Sequence, residues 1–415
     1  MRRRWGAAAV AALAACAVAG CGTSSSAGPG SSGGSSSGGS GSGGPIVIGA
    51  TIPLTGSFAA FGAQEKIGDS LAVSQINKDG GITIDGKKRK VVVKFLDSQS
   101  QPNLTTTQAR TLVLQDHAVG FFGTIAPPLV IPLSQAADQL HVPLVHHTPI
   151  QAWLSGSKTG YPYSWDIFFN ETQQTTTQYL ATNEVKTNKR VVLFTDTDPD
   201  GITMGKLWAQ NAPKYGYKVV ARESFPEGTT DFSSYIANAQ KQHAQVLIAQ
   251  MIPPDATALW KQMKAAGYDP KVAYCEKCSY QSAWGKSLGS LANGTMVTDV
   301  WSPAIDKDQL PLMLTLKKYY GDKINPGVSG VVGAYTCASV LLDAIKRAGS
   351  TGGAAINKAI GETNGEYPLG HVQFNSQHYS AVKAFQTQWR NGATVIVWPK
   401  VKGGSSVQAP VAGLK

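Results

Sequence analysis

After its first twenty residues the chain contains no run approaching the ~20 consecutive apolar residues that span a bilayer. It also lacks a G-x-S-x-G elbow, a P-loop and an H-E-x-x-H helix. Those absences leave esterase, nucleotide-hydrolysing and zinc-protease chemistry without a carrier. Cys275-Glu276-Lys277-Cys278 is the single C-x-x-C, and a structural zinc site would need two more soft ligands. Charged residues make up only 15% of the chain, and no Lys/Arg cluster is interleaved with aromatics as a nucleic-acid surface requires. The basic run Lys87-Lys88-Arg89-Lys90 lies between Asp85-Gly86 and a strand at Val91 to Phe95, which makes it a solvated turn. No nucleic-acid partner is expected.

What is present begins with a leader. Arg2, Arg3 and Arg4 precede an apolar stretch from Ala7 to Val18. It ends in Val18-Ala19-Gly20-Cys21, which resembles the lipobox of bacterial lipoproteins. That resemblance implies cleavage after residue 20, acylation of Cys21, and a place outside the cytoplasm on a lipid anchor. Losing the three arginines takes the formal charge from +11 to +8. Residues 21–44 supply the anchored cysteine and a tether of Gly and Ser, spanning about 25 Å as a flexible coil. The full chain of 415 residues, 42% hydrophobic, is ample for more than one core.

From Pro45 onward, strand and helix patterns alternate almost without break. Ile46-Val47-Ile48 predicts a buried strand that empties into a loop with Pro53, Thr55 and Gly56, then a helix around Ala63 to Lys78. Strands follow at Val91 to Leu96, Val119 to Phe122 and Val142 to Val145, with helices between. A second series starts near Asp166, with strands at Val191 to Thr195, Lys218 to Ser224, Gln245 to Gln250 and Val272 to Tyr274. Helices are expected near Leu310 to Tyr320 and from Val331 to Ala348, the latter stopped by Gly349. Asn391-Gly392 marks a hairpin turn before a strand ending at Trp398. Such βα series need a mainly parallel sheet, with ligands at the strands' carboxyl ends.

These landmarks resemble the type I periplasmic binding proteins, in particular the branched-chain amino-acid-binding family of ABC-transporter solute receptors. The likeness rests on an ordered set: Gly49 to Gly56, Phe61-Gly62, Ile76-Asn77 with Gly80-Gly81-Ile82, Asp97, Val142-Pro143, Thr230 to Ser233, Ala265-Ala266-Gly267 and Gly370 to Phe374. The resemblance implies an α/β fold of two Rossmann-like lobes joined by three hinge crossings, a ligand held between them, and no catalysis or cofactor. Lobe one would take residues 45–165 and 299–375, lobe two 166–298 and 376–399, with 400–415 a disordered tail. It further implies a monomer that serves ABC permease subunits. Carried over singly, the family's binding positions fall at Phe61, at Ile125, Ala126 and Pro127, at His146 to Ile150 with Thr148, at Asp200 with Gly201, at Ile252 beside Met251, and at Glu276. At Pro127 the chain departs from the pattern, since the Ser that grips an α-carboxylate is replaced by a residue with neither hydroxyl nor N–H. Glu276 and Asp200 favour a ligand with an amine, cationic or hydroxyl-rich end.

Other residues carry competing readings. Asp196-Thr197-Asp198-Pro199-Asp200-Gly201 imitates half of an EF-hand loop, but position twelve is Leu207 instead of a bidentate Glu, so no metal is expected. Cys275 and Cys278 form either a local disulfide or two free thiols. At most one of His146 and His147 can face the cleft from extended backbone, and His147 is the candidate. Trp301 is expected in the cleft wall. Two rival functions remain, a sensor acting through a membrane partner and a Cys278/His147 hydrolase.

Overall fold

The computed structural model describes residues 43–302, 316, 318 and 328–415. The leader, Cys21 and nearly all of the tether lie outside the described residues, as does most of the helix expected near Leu310 to Tyr320. Among the described residues, no helix is long and apolar enough to cross a membrane.

The chain opens with β1 (Ile46–Ile52), whose Ile46, Ile48, Ala50 and Ile52 are fully buried. Each fully buried Ile contributes roughly 2 kcal/mol. A small ribbon of β2 (Ile82–Ile84) and β3 (Lys87–Arg89) follows, then β4 (Val91–Asp97), β5 (Phe121–Phe122), β6 (Leu144–His146) and β7 (Ser164–Phe168). A second series comprises β8 (Arg190–Asp196), β9 (Lys218–Phe225), β10 (Val246–Gln250), β11 (Val272–Glu276) and β12 (Thr295–Asp299). The C-terminal part supplies the ribbon β13 (Asn364–Tyr367) and β14 (Gly370–Gln373), then β15 (Tyr379–Ala381), β16 (Phe385–Arg390) and β17 (Ala393–Trp398).

Two sheets result. The first is parallel throughout, in the order β15-β7-β6-β5-β1-β4. The second runs β17-β16-β12-β11-β10-β8-β9, parallel except for the hairpin β16-β17 at its edge. Asn391 and Gly392 turn that hairpin with φ of 51° and 83°, as its primed turn demands. In both sheets the winding reverses direction beside the first strand, between β1 and β5 and between β8 and β10. Those are the points where the connecting helices part and leave a crevice.

Helix Val328–Ala348 lies along helix Ala59–Lys78 in the first lobe. The approach is close enough that a Cβ on Gly68 would overlap the carbonyl of Val331. Four helices begin on a proline, since Pro102, Pro127, Pro199 and Pro253 each occupy a first helical position, where a missing N–H costs nothing.

Three boundaries differ from the sequence expectation. β7 continues to Phe168 in the first sheet, past the division at 165. Tyr379–Ala381 pairs in parallel with Asp166–Phe168, so this stretch belongs to the first sheet and the return crossing falls between Ala381 and Phe385. Residues 400–415 are not a loose tail. Val411 and Leu414 are buried in the second lobe's core, and the Gln388 side chain holds the backbone of Gln408 at 2.8 and 2.9 Å.

Candidate functional site

A cleft opens where the two sheets present their carboxyl ends, enclosing about 50 Å³. Phe58, Phe61, Ile125, Ala126, Pro127 and Pro149 line it from the first lobe. Phe168, Phe169 and Gln174 come from the first crossing and the helix behind it, Glu171–Thr182. Asp200, Gln250, Glu276, Lys277, Tyr280 and Thr298 complete it from the second lobe. One wall is therefore hydrocarbon and aromatic, the other polar and charged.

The first wall is held by two buried carboxylates and one half-exposed loop anchor. Asp97, at the end of β4, accepts from the N–H groups of Leu54 and Thr55 at 2.9 and 3.1 Å and so shapes the turn leading to Phe58 and Phe61. Glu65, on helix Ala59–Lys78, accepts from Thr124 Oγ1 at 3.0 Å and from the N–H of Ile125 at 2.7 Å. Burial pushes the Glu65 carboxyl up to about 7 despite those two donors. Asp166 accepts from the N–H of Thr148 at 3.0 Å, while the Thr148 hydroxyl donates to the carbonyl of Ile125. The loop Ile125–Pro127 is thereby fixed from both sides.

The second wall is organised around Lys277. Its ammonium lies 2.7 Å from Asp196 Oδ2, 2.6 Å from Asp198 Oδ2 and 3.5 Å from Glu227 Oε1. Burial opposes this charge, but Asp198, Asp196, Asp200 and Glu227 outweigh it and raise the lysine above its ordinary range. Oxygens of Asp196, Asp198 and Glu227 all lie within 4.8 Å of one another, the geometry of a cation site. The cation in it is the ammonium of Lys277. The half EF-hand at Asp196–Gly201 is thus an ion-pair cradle, and Gly201 is needed there because a Cβ would overlap the Asp196 carbonyl. Cys275 and Cys278 are joined in a disulfide that closes a ring around Glu276 and Lys277.

Two acids face the cleft directly. Burial first, then the charge of Asp198, push Asp200 up to about 7, against the pull of Lys277 and Gln250. Burial does the same to Glu276, against hydrogen bonds from Gln178 at 2.6 Å and from Thr298 N and Oγ1 at 3.0 Å each. Glu276 meets only neutral donors, while Asp200 shares Lys277 with Asp196, Asp198 and Glu227.

Of the residues singled out from the sequence, Phe61, Ile125, Ala126, Asp200 and Glu276 meet in the cleft, with Pro127 between them. The others lie elsewhere. The His147 ring sits beside Phe168, at 5.9 Å between centroids, and against Gly333, where a Cβ would lie 2.6 Å from its Cδ2. His146 turns the other way, with Nδ1 3.3 Å from Asp166 Oδ1. Both faces of β6 are covered, so alternation sends each histidine into core and neither to the cleft. Thr148 spends its hydroxyl on Ile125 and braces the wall from behind. Met251 is core, and Ile252 is the buried residue preceding helix Pro253–Ala265. The strand ends one residue before Met251, so Gln250 takes the cleft position. Trp301 lines a different groove, with Val300, Leu369 and Phe385. Because Cys278 is disulfide-bonded and His147 is buried, a Cys/His nucleophile pair is ruled out.

Sequence reasoning missed Phe58, Phe168, Phe169, Gln250, Lys277 and Tyr280. One signal was available. Asn170 caps helix Glu171–Thr182 by accepting from Thr172 N at 2.9 Å, and an Asn before Glu-Thr would have placed the crossing directly after Phe168-Phe169.

The profile described as periplasmic binding protein matches residues 45–393. Leu/Ile/Val-binding protein homolog 3 of Brucella melitensis biotype 1 is 28% identical over 318 residues, 76% of this chain and 83% of that protein. The branched-chain amino acid transporter substrate binding protein LivJ from Streptococcus pneumoniae, solved with isoleucine, superposes with a TM-score of 0.74 at 21% identity, covering 88% of this chain and 100% of that one. The leucine binding protein LivK from Thermotoga maritima gives 0.74 at 20% identity, with 85% and 97% covered.

Proposed function

The chain belongs to the periplasmic binding protein family, and from that premise we propose that it is the extracytoplasmic solute-binding component of an ABC importer. Its lobes close on a small organic molecule and present it to a permease, while acylated Cys21 and the Gly/Ser tether hold the monomer at the membrane. The observation that carries this reading is the cleft itself. Strand ends of both sheets converge on one crevice in which two acids, Asp200 and Glu276, are buried and pushed up to about 7. Such a wall is stabilised when a guest enters and the lobes shut over it, so the guest shifts the hinge equilibrium toward the closed form.

Native mass spectrometry of the purified chain is expected to reveal a co-purified small molecule. Small-angle scattering is expected to show a smaller radius of gyration when that molecule is added back to stripped protein. A chain that carries no small molecule, and whose scattering is unchanged by any fraction of a cell extract, overturns the proposal.

A further inference from the structure

Beside the Tyr280 hydroxyl, which can donate or accept, the cleft lining holds two pure acceptors that nothing satisfies. Asp200 Oδ1 and Gln250 Oε1 are buried and have no hydrogen-bond partner among the described residues. They are neighbours, since the Gln250 amide donates to the other oxygen of Asp200, and both line the cleft. Leaving buried acceptors unpaired is costly, so the position calls for a donor.

The anion-binding side of the cleft is the reverse case. A helix N-terminus pointed at a crevice normally offers free N–H groups to a carboxylate. Here helix Pro127–Leu140 begins with two prolines, Pro127 and Pro128, which carry no N–H. The starting amides of helix Ile150–Leu154 are taken by Glu171, which accepts from Gln151 N at 2.8 Å and Ala152 N at 2.7 Å. At helix Pro199–Asn211 the amide of Gly201 donates to Asp198 at 2.6 Å. Helix Pro253–Ala265 again starts with two prolines, Pro253 and Pro254. Lys277, the cation in the lining, has three N–H donors and three carboxylates around it. Its charge is spent inside the wall.

On the solute-binding reading, we propose that the guest is a small apolar amine without a carboxylate, its ammonium donating to Asp200 Oδ1 and Gln250 Oε1 and its hydrocarbon lying on Phe58, Phe61 and Phe168. An ammonium supplies the donors both acceptors lack. It also brings a positive charge that favours the ionised forms of Asp200 and Glu276, which burial opposes. The rings across the cleft suit such a guest, because an aromatic face attracts a cation as well as hydrocarbon.

The test is isothermal titration calorimetry on the full chain in detergent with two matched trios. Leucine is compared with isoamylamine, which lacks its carboxylate, and with isocaproate, which lacks its ammonium. Phenylalanine, phenethylamine and hydrocinnamate form the aromatic trio. At least one amine is expected to bind roughly tenfold or more tightly than its parent amino acid, with neither acid binding. Asp200→Asn is expected to weaken that amine by a similar factor without lowering the melting temperature of the empty chain. Should Asp200→Asn not fold, Gln250→Met removes the second acceptor and is expected to weaken the amine in the same direction. An amino acid or acid that binds as tightly as its amine overturns the ligand class, as does an amine unaffected by these changes, or silence from all six compounds. The solute-binding reading survives those failures if the native spectrum still shows a different bound guest.

Discussion

The ammonium of Lys277 lies 2.6 Å from Asp198 Oδ2, completing with Asp196 and Glu227 a coordination shell that would otherwise suit a metal ion. A lysine buried this deeply is stable as a cation only because its partners are anions in the same low-dielectric space. The wall of the cleft and the integrity of the second lobe therefore rest on the same ion cluster.

Lys277→Met removes the positive charge and leaves two buried carboxylates facing each other. The expected loss is on the order of 3 kcal/mol, the usual cost of breaking a buried pair from one side. Calcium should then recover part of it, since the remaining oxygens already stand at cation-binding distances. Thermal denaturation with and without calcium chloride checks both halves. A parent protein stabilised by calcium as strongly as the variant would show that the ammonium does not own the site.

Much of this fold is visible in local pattern. Ile46-Val47-Ile48 announces β1, and Gly349 ends its helix with φ of 56° as a C′ glycine should. What local pattern cannot show is pairing across two hundred residues. β15 is three residues long and exists because Asp166–Phe168 accepts it as an edge. The fate of Lys277 was hidden for the same reason. A lysine in a polar loop is ordinarily solvated, and this one is buried only because the loop after β8 and the distant Glu227 converge on it. The histidines failed differently. His146 and His147 were placed correctly at a strand end, but both flanks of that strand are covered by core.

Proton linkage makes the empty protein's stability fall through neutrality. Burial raises Glu65, Asp200 and Glu276 to about 7, and Glu171 to about 8. Between their unfolded values and these, the native state binds more protons, so stability drops as pH rises, by at most about 1.4 kcal/mol per unit for each group. His147 acts oppositely. Burial, then the neighbouring His146, lowers it to about 3, so stability is lost as pH falls below its unfolded value of 6.5. Charges facing Asp200 come from Asp198, Lys277 and Glu171, while Glu276 is met by neutral Gln178 and Thr298. Urea unfolding is expected to show stability falling across about pH 5 to 8, because four raised carboxyls outweigh the one lowered histidine, with Glu276→Gln flattening the decline. A profile that rises over that interval contradicts the linkage.

The disulfide bears on the cleft more than on the fold. Cys275 is fixed in β11 by pairing with Ala249, and Ser279 just beyond the ring donates to the Cys275 carbonyl at 2.6 Å and accepts from Trp389 Nε1 at 2.9 Å. Sheet and indole therefore hold both ends of the turn without help from sulfur. Between them Lys277 adopts φ of 63°, a left-handed conformation costing a residue with a Cβ about 1 kcal/mol. The cross-link denies that residue the relaxed alternatives it would otherwise take. Replacing Cys275 and Cys278 together by Ser should cost about 2 kcal/mol in urea unfolding, the chain-entropy value for so short a ring. Guest affinity should fall as well, because Glu276 and Lys277 both lie inside the ring and line the cleft. Titration of the co-purified molecule into parent and double variant measures this directly. Equal affinities would mean that the ion cluster alone positions the turn, leaving the cross-link a purely global role.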